Sequence, residues 1–198
     1  MSINNLLLLL LVASLTACTS GKRPDQPSTT GSADTGTASI SENERNNYRN
    51  AITALNNNKL DLAENILKEI LNERKDLAGP WANLGLVYLK KNDITQATKA
   101  LQQALLLNPN QPYALNLMGL IEYNQGNVQK ATEYYAAAVA NKPDYANAHY
   151  NLALVYDIFY QDIPKAVEHY KQYMELTKHE DKETGMWLEQ LASSLKTN

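Results

Sequence analysis

Apolar and polar positions alternate along residues 41–198 in a regular rhythm, with apolar stripes of helical spacing broken by short polar turns. Residues three, four and seven apart share one face of a helix, so each stripe predicts a helix with one buried side. Leu60, Ile94, Val128 and Ile163 each open a stripe just after a polar turn such as Lys91-Asn92-Asp93 or Gln125-Gly126-Asn127. Pro109 and Pro143 close two of the units, because proline cannot supply the next backbone donor of a helix. Ser41-Glu42-Asn43-Glu44 reads as a capping box that opens the first helix. Trp187, Leu188, Leu191 and Leu195 line one face of a last helix within Lys182 to Lys196.

The stripes repeat at a fixed period. Ala63, Ala97, Ala131 and Ala166 are spaced by 34, 34 and 35 residues. The second unit holds Trp81, Leu84, Gly85, Tyr88, Ala97, Leu101, Ala104 and Pro109. The third holds Leu115, Met118, Gly119, Ala131, Tyr135, Ala138 and Pro143 at the same offsets. This pattern resembles the tetratricopeptide repeat, in which each unit is a helix hairpin. The resemblance implies an all-α, TPR-type α-solenoid of four hairpins, at about 44–77, 78–111, 112–145 and 146–180, with 181–198 as a C-terminal capping helix. Gly85 and Gly119 are expected where two helices of a hairpin cross closely, with Ala97 and Ala131 as the matching small surface. The outer units depart from the pattern. Asn50 and Ala51 replace Leu-Gly in the first, where Lys75 stands in the place of proline, and the fourth has one extra residue near Tyr160-Gln161-Asp162. That insertion is expected in the turn, ahead of a helix starting near Ile163-Pro164.

The N-terminal 40 residues follow a different logic. Leu6 to Leu15 is an almost unbroken apolar run, ahead of Thr16, Ala17 and Cys18. It reads as the core of a secretory signal peptide and is shorter than the roughly 20 residues a spanning helix needs. Met1 to Asn5 supplies no Lys or Arg. Leu15-Thr16-Ala17-Cys18 resembles the lipobox of bacterial lipoproteins, which implies a signal peptide at 1–17, cleavage before Cys18 and acylation of that residue. Acyl chains contribute about 0.8 kcal/mol per buried CH₂, so several of them tether a protein stably. Cys18 is the sole cysteine among 198 residues, which excludes an internal disulfide and a cysteine metal cluster. Thr19, where some lipoproteins carry aspartate, implies the periplasmic face of the outer membrane rather than the inner membrane. Residues 18–40, from the expected lipid-bearing Cys18 onward, are rich in Ser, Thr, Gly and Pro and predict a disordered tether reaching about 25 Å.

Net charge is −3, with 18 Lys+Arg against 21 Asp+Glu, and no basic block points to nucleic acid. His149, His169 and His179 lack metal-ligand spacing, and no phosphate-binding glycine loop occurs. No catalytic residue, metal or cofactor is expected.

In the family the first helix of each hairpin lines a concave groove, so its positions read as rows across the repeats. One row is Ile52, Leu86, Leu120 and Leu154, an apolar stripe of the kind that marks a contact surface. A second is Arg49, Asn83, Leu117 and Asn151; a third is Tyr48, Ala82, Asn116 and Tyr150, with Arg45, Tyr113 and Asn147 outside it. Leu55, Leu89, Tyr123 and Asp157 continue the far wall. The asparagines either hold a partner's backbone or stand there merely because asparagine tolerates solvent and neighbouring helices at that position of the repeat. No lysine stands at Tyr48, Ala82, Asn116 or Tyr150, so a clamp for a terminal carboxylate is not expected.

The candidate groove is thus Arg49, Ile52, Asn83, Leu86, Tyr113, Asn116, Leu120, Tyr123, Tyr150, Asn151 and Leu154, and the expected ligands are envelope proteins or peptides. The layout is similar to lipoproteins that assemble type IV pili or secretion pores. Adaptors for peptidoglycan hydrolases or energy-coupling systems share it, and a self-assembling structural role is the alternative. Oligomeric state stays open.

Overall fold

The computed structural model describes residues 41–195; Cys18, the apolar leader and the tether lie outside the described residues. Asn43–Asn198 forms one compact unit, and the unit ahead of it, Met1–Glu42, falls almost wholly outside them. The described residues form nine α-helices and no strand. Four hairpins pair α1 (Glu42–Asn56) with α2 (Leu60–Glu73), α3 (Ala78–Lys90) with α4 (Ile94–Leu107), α5 (Pro112–Asn124) with α6 (Val128–Asn141), and α7 (Ala146–Val155) with α8 (Ile163–Leu176). Helix α9 (Lys182–Ser194) packs on α8. The second helices start at Leu60, Ile94, Val128 and Ile163, the residues that follow each polar turn in the sequence.

The same local chemistry makes each turn. Asn58, Asn92, Gly126 and Gln161 occupy equivalent positions with φ of 54°, 60°, 83° and 51°. In the first three, the next residue sends its N–H back over the turn: Lys59 to the Ala54 carbonyl, Asp93 to Tyr88 and Asn127 to Glu122, at 2.9 Å each. This left-handed closure satisfies carbonyls that a helix end otherwise leaves bare. The Asp93, Gln111, Asp162 and Asp181 side chains then accept from the opening N–H groups of α4, α5, α8 and α9.

The fourth turn differs. The extra residue of that repeat does not lengthen the loop; it widens the end of the first helix into a π-turn at Tyr156–Tyr160. There the Asp162 N–H reaches back to the Tyr156 carbonyl at 2.9 Å, one residue farther than its counterparts reach. A π-turn absorbs an inserted residue without breaking the hydrogen-bond ladder, which is why α8 still opens at Ile163.

Packing follows the repeat. Ala63, Ala97, Ala131 and Ala166 are fully buried, and so, one turn later, are Leu67, Leu101, Tyr135 and Tyr170. The glycine crossings involve this second row more than the alanines. A Cβ on Gly85 would stand 2.6 Å from Leu101 Cγ, and one on Gly119 2.6 Å from Tyr135 Cε1. First helices of neighbouring repeats touch directly, α3 with α5 and α5 with α7, so they form the inner layer and the second helices the outer one. At the end of the stack, Leu191 is buried and Leu188 half-buried against Ala153, Ala166, Val167 and Tyr170. Trp187 and Leu195, expected on the same face, are exposed instead. Trp187 turns to donate its indole N–H to Asp157 Oδ2 at 2.7 Å.

Candidate functional site

The inner layer carries the row Ile52, Leu86, Leu120 and Leu154, one residue from each first helix, all half-buried. Leu86 leans on the cores of both flanking hairpins, leaving part of its side chain open on the inner face. Four aliphatic side chains in register give an apolar strip with no charge in it. Farther along α5, Tyr123 is buried edge-on to the Phe159 ring, with centroids 5.5 Å apart. Phe159 and its neighbours Ile158 and Tyr160 are themselves exposed, so the π-turn carries an apolar patch beside Tyr123.

The asparagines serve the stack. Asn151 Nδ2 donates to Asn116 Oδ1 at 2.9 Å, and both residues are buried. Asn116 Nδ2 points in turn at the Tyr145 hydroxyl, 3.4 Å away. Asn83 Nδ2 donates to the Tyr48 hydroxyl at 2.5 Å and to the Gly79 carbonyl at 3.2 Å, tying α3 to α1. Each amide joins one first helix to the next, a polar seam that fixes the stagger between repeats. Burial pushes the Tyr48 phenol upward, an effect that the Asn83 bond opposes.

The remaining candidates divide by position. Arg49 is exposed, with its guanidinium on Asn46 Oδ1 at 2.7 Å. Tyr113 is exposed and edge-on to Tyr145. Tyr150 is half-buried between Tyr170 and Tyr173, with ring centroids 5.9 and 5.0 Å away. Burial raises its pKa, and the Asp181 and Glu183 carboxylates add to the rise. The structure places Ile52, Leu86, Leu120 and Leu154 at equivalent half-buried positions of the four first helices, buries Tyr123, and packs Tyr150 against Tyr170 and Tyr173 of α8. It sets Arg49 and Tyr113 on the open rim and takes Asn116 and Asn151 into the seam.

Two features escaped sequence reasoning. His149 Nδ1 and His169 Nδ1 lie 3.0 Å apart, while His149 Nε2 is 3.0 Å from the Pro143 carbonyl. A carbonyl only accepts, so His149 Nε2 carries a proton, and with both rings neutral its Nδ1 accepts and His169 Nδ1 donates. Burial lowers the His169 pKa and the neighbouring His149 lowers it further. The signal was present, since His149 stands where the two preceding repeats carry Trp81 and Leu115. The other is the role of Asp157: read from the sequence as part of the far wall, it instead accepts from Trp187 and lies 3.5 Å from the Tyr170 hydroxyl, tying the capping helix to the π-turn. No group of three or more metal-binding side chains occurs among the described residues. No described helix is long and apolar enough to cross a membrane.

A stack of hairpins with an inner apolar wall, amide seams between repeats and a capped end is a helical-repeat scaffold, the fold on which proteins bind other proteins. The chain carries tetratricopeptide repeats: residues 82–146 and 118–176 match the family model of that name. A curated relative is the peroxisomal targeting signal receptor of Saccharomyces cerevisiae, 29% identical over 99 residues, which are 48% of this chain and 16% of the receptor. The chain thus spans less than a fifth of the length of the curated relatives it matches. Among solved structures, PilF of Pseudomonas aeruginosa superposes with a TM-score of 0.67 at 18% identity, over 79% of this chain and 70% of that one. MamA of Desulfovibrio magneticus RS-1, from residue 41 to its end, superposes with a TM-score of 0.55 at 20% identity, over 79% and 98% respectively. At these identities the structural likeness speaks for the fold alone.

Proposed function

We propose that the protein is a lipid-tethered scaffold of the bacterial envelope that captures a segment of a partner protein along its inner wall. The observation that carries the reading is the apolar row Ile52, Leu86, Leu120 and Leu154, half-exposed in the same register through all four repeats. A stack needs its buried rows for stability, but this row keeps apolar surface toward solvent, as a binding face does. The Phe159 patch adds exposed apolar surface beside Tyr123. The Leu15-Thr16-Ala17-Cys18 segment supports acylation at Cys18, and Thr19 supports the periplasmic face of the outer membrane as the site of work. Assembly of a type IV pilus or secretion pore is the pathway we favour, because the layout of leader, tether and short repeat array resembles that of lipoproteins serving such machines. The fold shared with PilF agrees with that choice.

The test is a double substitution, Leu86→Glu with Leu120→Glu, compared with wild type for helicity and for crosslinking in living cells from a photoreactive residue at Ile52. The reading expects a discrete envelope protein crosslinked to wild type, and its loss in the double variant while helicity holds. Unfolding of the double variant would mean that the row is core. Crosslinks to other copies of the chain alone would favour self-assembly. Acylation is tested separately by Cys18→Ala, which should release the protein from the membrane fraction.

A further inference from the structure

The outer layer holds a second concavity, separate from the inner wall. On α3, Trp81, Leu84 and Tyr88 lie on the side opposite Asn83 and Leu86, given the helix's about 3.6 residues per turn. These three side chains floor a cleft of about 570 Å³ between α2 and α4. One rim is formed by Lys68, Asn72 and Lys75, the other by Gln96, Lys99 and Gln103. No residue lining the cleft is acidic, although the chain as a whole is anionic. Lys68 is held by Glu64 at 2.6 Å, its ammonium 5.9 Å from the Tyr88 ring centroid. Lys75 and Lys99 have no carboxylate partner among the described residues and both line the cleft, one on each rim. The Trp81 indole is fixed in place, its N–H donated to the Lys75 carbonyl at 3.0 Å.

We propose that this outer cleft binds an anionic saccharide, with a sugar ring against Trp81 and Tyr88 and its acidic substituent between Lys75 and Lys99. The volume lies in the range of about 300–1,000 Å³ typical of small-molecule sites and is large for a lone ion. Two aromatic side chains on the floor offer flat apolar area to the C–H face of a pyranose. Side-chain amides on both rims each offer a donor and an acceptor, which matches the mixed donor–acceptor character of hydroxyl groups. Two uncompensated lysines supply the selection for charge, as mobile point charges that suit a phosphate or carboxylate alike. An acidic peptide would use the lysines but leave the paired aromatic floor and the lateral amides without a matched ligand surface. The cleft and the inner wall use opposite sides of α3, so a saccharide here leaves the partner-binding strip free.

The experiment uses the full 198-residue chain in nonionic detergent, carrying Trp187→Phe so that Trp81 is the only indole. Trp81 fluorescence is titrated with N-acetylmuramic acid and glucose 6-phosphate as the carboxylate and phosphate probes. N-acetylglucosamine, inorganic phosphate and a short glutamate peptide are the comparisons. A saturable response to at least one anionic sugar, about tenfold tighter than to N-acetylglucosamine, is expected. The preferred anionic sugar identifies the acidic group. Lys75→Gln with Lys99→Gln should weaken that binding about tenfold while the melting curve stays in place, because both side chains are exposed. The proposal is overturned by no saturable response to either anionic sugar, or by equal binding of the neutral one. Binding of inorganic phosphate or the glutamate peptide as tightly as the sugars also overturns it, as does an unaffected double variant. None of these outcomes touches the inner-wall reading, which Leu86 and Leu120 report independently.

Discussion

Replacing Asn151 by alanine tests whether the amides between repeats hold the stack or await a ligand. In the wild type Asn151 Nδ2 donates to Asn116 Oδ1 at 2.9 Å, and Asn116 is only 4% exposed. Truncation leaves that carbonyl oxygen buried without its donor, and water has little access to replace it. An unsatisfied buried acceptor costs about 1–3 kcal/mol. For a domain of this size each kcal/mol moves the melting temperature by roughly 2–4 °C, so a loss near 2 kcal/mol predicts a drop of about 4–8 °C. Thermal melting followed by far-ultraviolet circular dichroism measures it. Asn116→Ala and the double variant complete a cycle whose coupling should be about 1 kcal/mol or more, since the two side chains meet directly. A melting temperature within about 1 °C of wild type would refute the argument. If partner capture failed at the same time, the amide would belong to the ligand rather than to the seam.

Further outcomes follow from the same contacts. Gly119→Ala puts a methyl group 2.6 Å from the buried Tyr135 ring, an overpacking cost of about 1–3 kcal/mol against a helix-propensity gain near 1, so chemical denaturation should show a net loss. Because the His169 pKa is depressed in the fold, the unfolded chain binds the proton more readily, and stability should fall as pH drops below the ordinary imidazole value and level off below the folded one. His169→Phe should flatten that dependence in denaturation curves recorded across the range. Phe159→Ser loses the edge-on contact with Tyr123 and should cost about 0.5–1.5 kcal/mol in chemical denaturation, leaving the fold intact while reducing crosslinking of the partner if the apolar strip extends to the π-turn.

Much of the fold was legible in the sequence because its signals were both local and periodic. Polar turns followed by Leu60, Ile94, Val128 and Ile163 marked the second helices, since each turn needs a left-handed residue and each helix an apolar start. The glycine crossings were legible as close approaches, but not their partners. Periodicity pairs Gly119 with Ala131, whereas the side chain that meets it is Tyr135, one turn on. The inner wall was readable only as rows. A row gives the facing of a backbone position without saying whether its side chain stops at the surface or enters the seam, and Leu120 and Asn116 took those different courses. The histidine contact joins residues 20 apart on different helices, and the outer cleft draws on three helices of two repeats. Pairings of that kind depend on how helices are set against one another, which a period does not encode.

The π-turn at Tyr156–Tyr160 has a consequence for how such an array can change. One added residue is a phase error in a 34-residue beat, and carried forward it would rotate every later side chain to the wrong bearing. Here the error is quarantined in a single widened turn. Ala166 and Tyr170 return to the beat, buried as their counterparts are, while Ile158, Phe159 and Tyr160 remain outside it. A repeat protein can therefore gain a chemically distinct landmark at one address by the smallest possible insertion, leaving the rest of its lattice untouched.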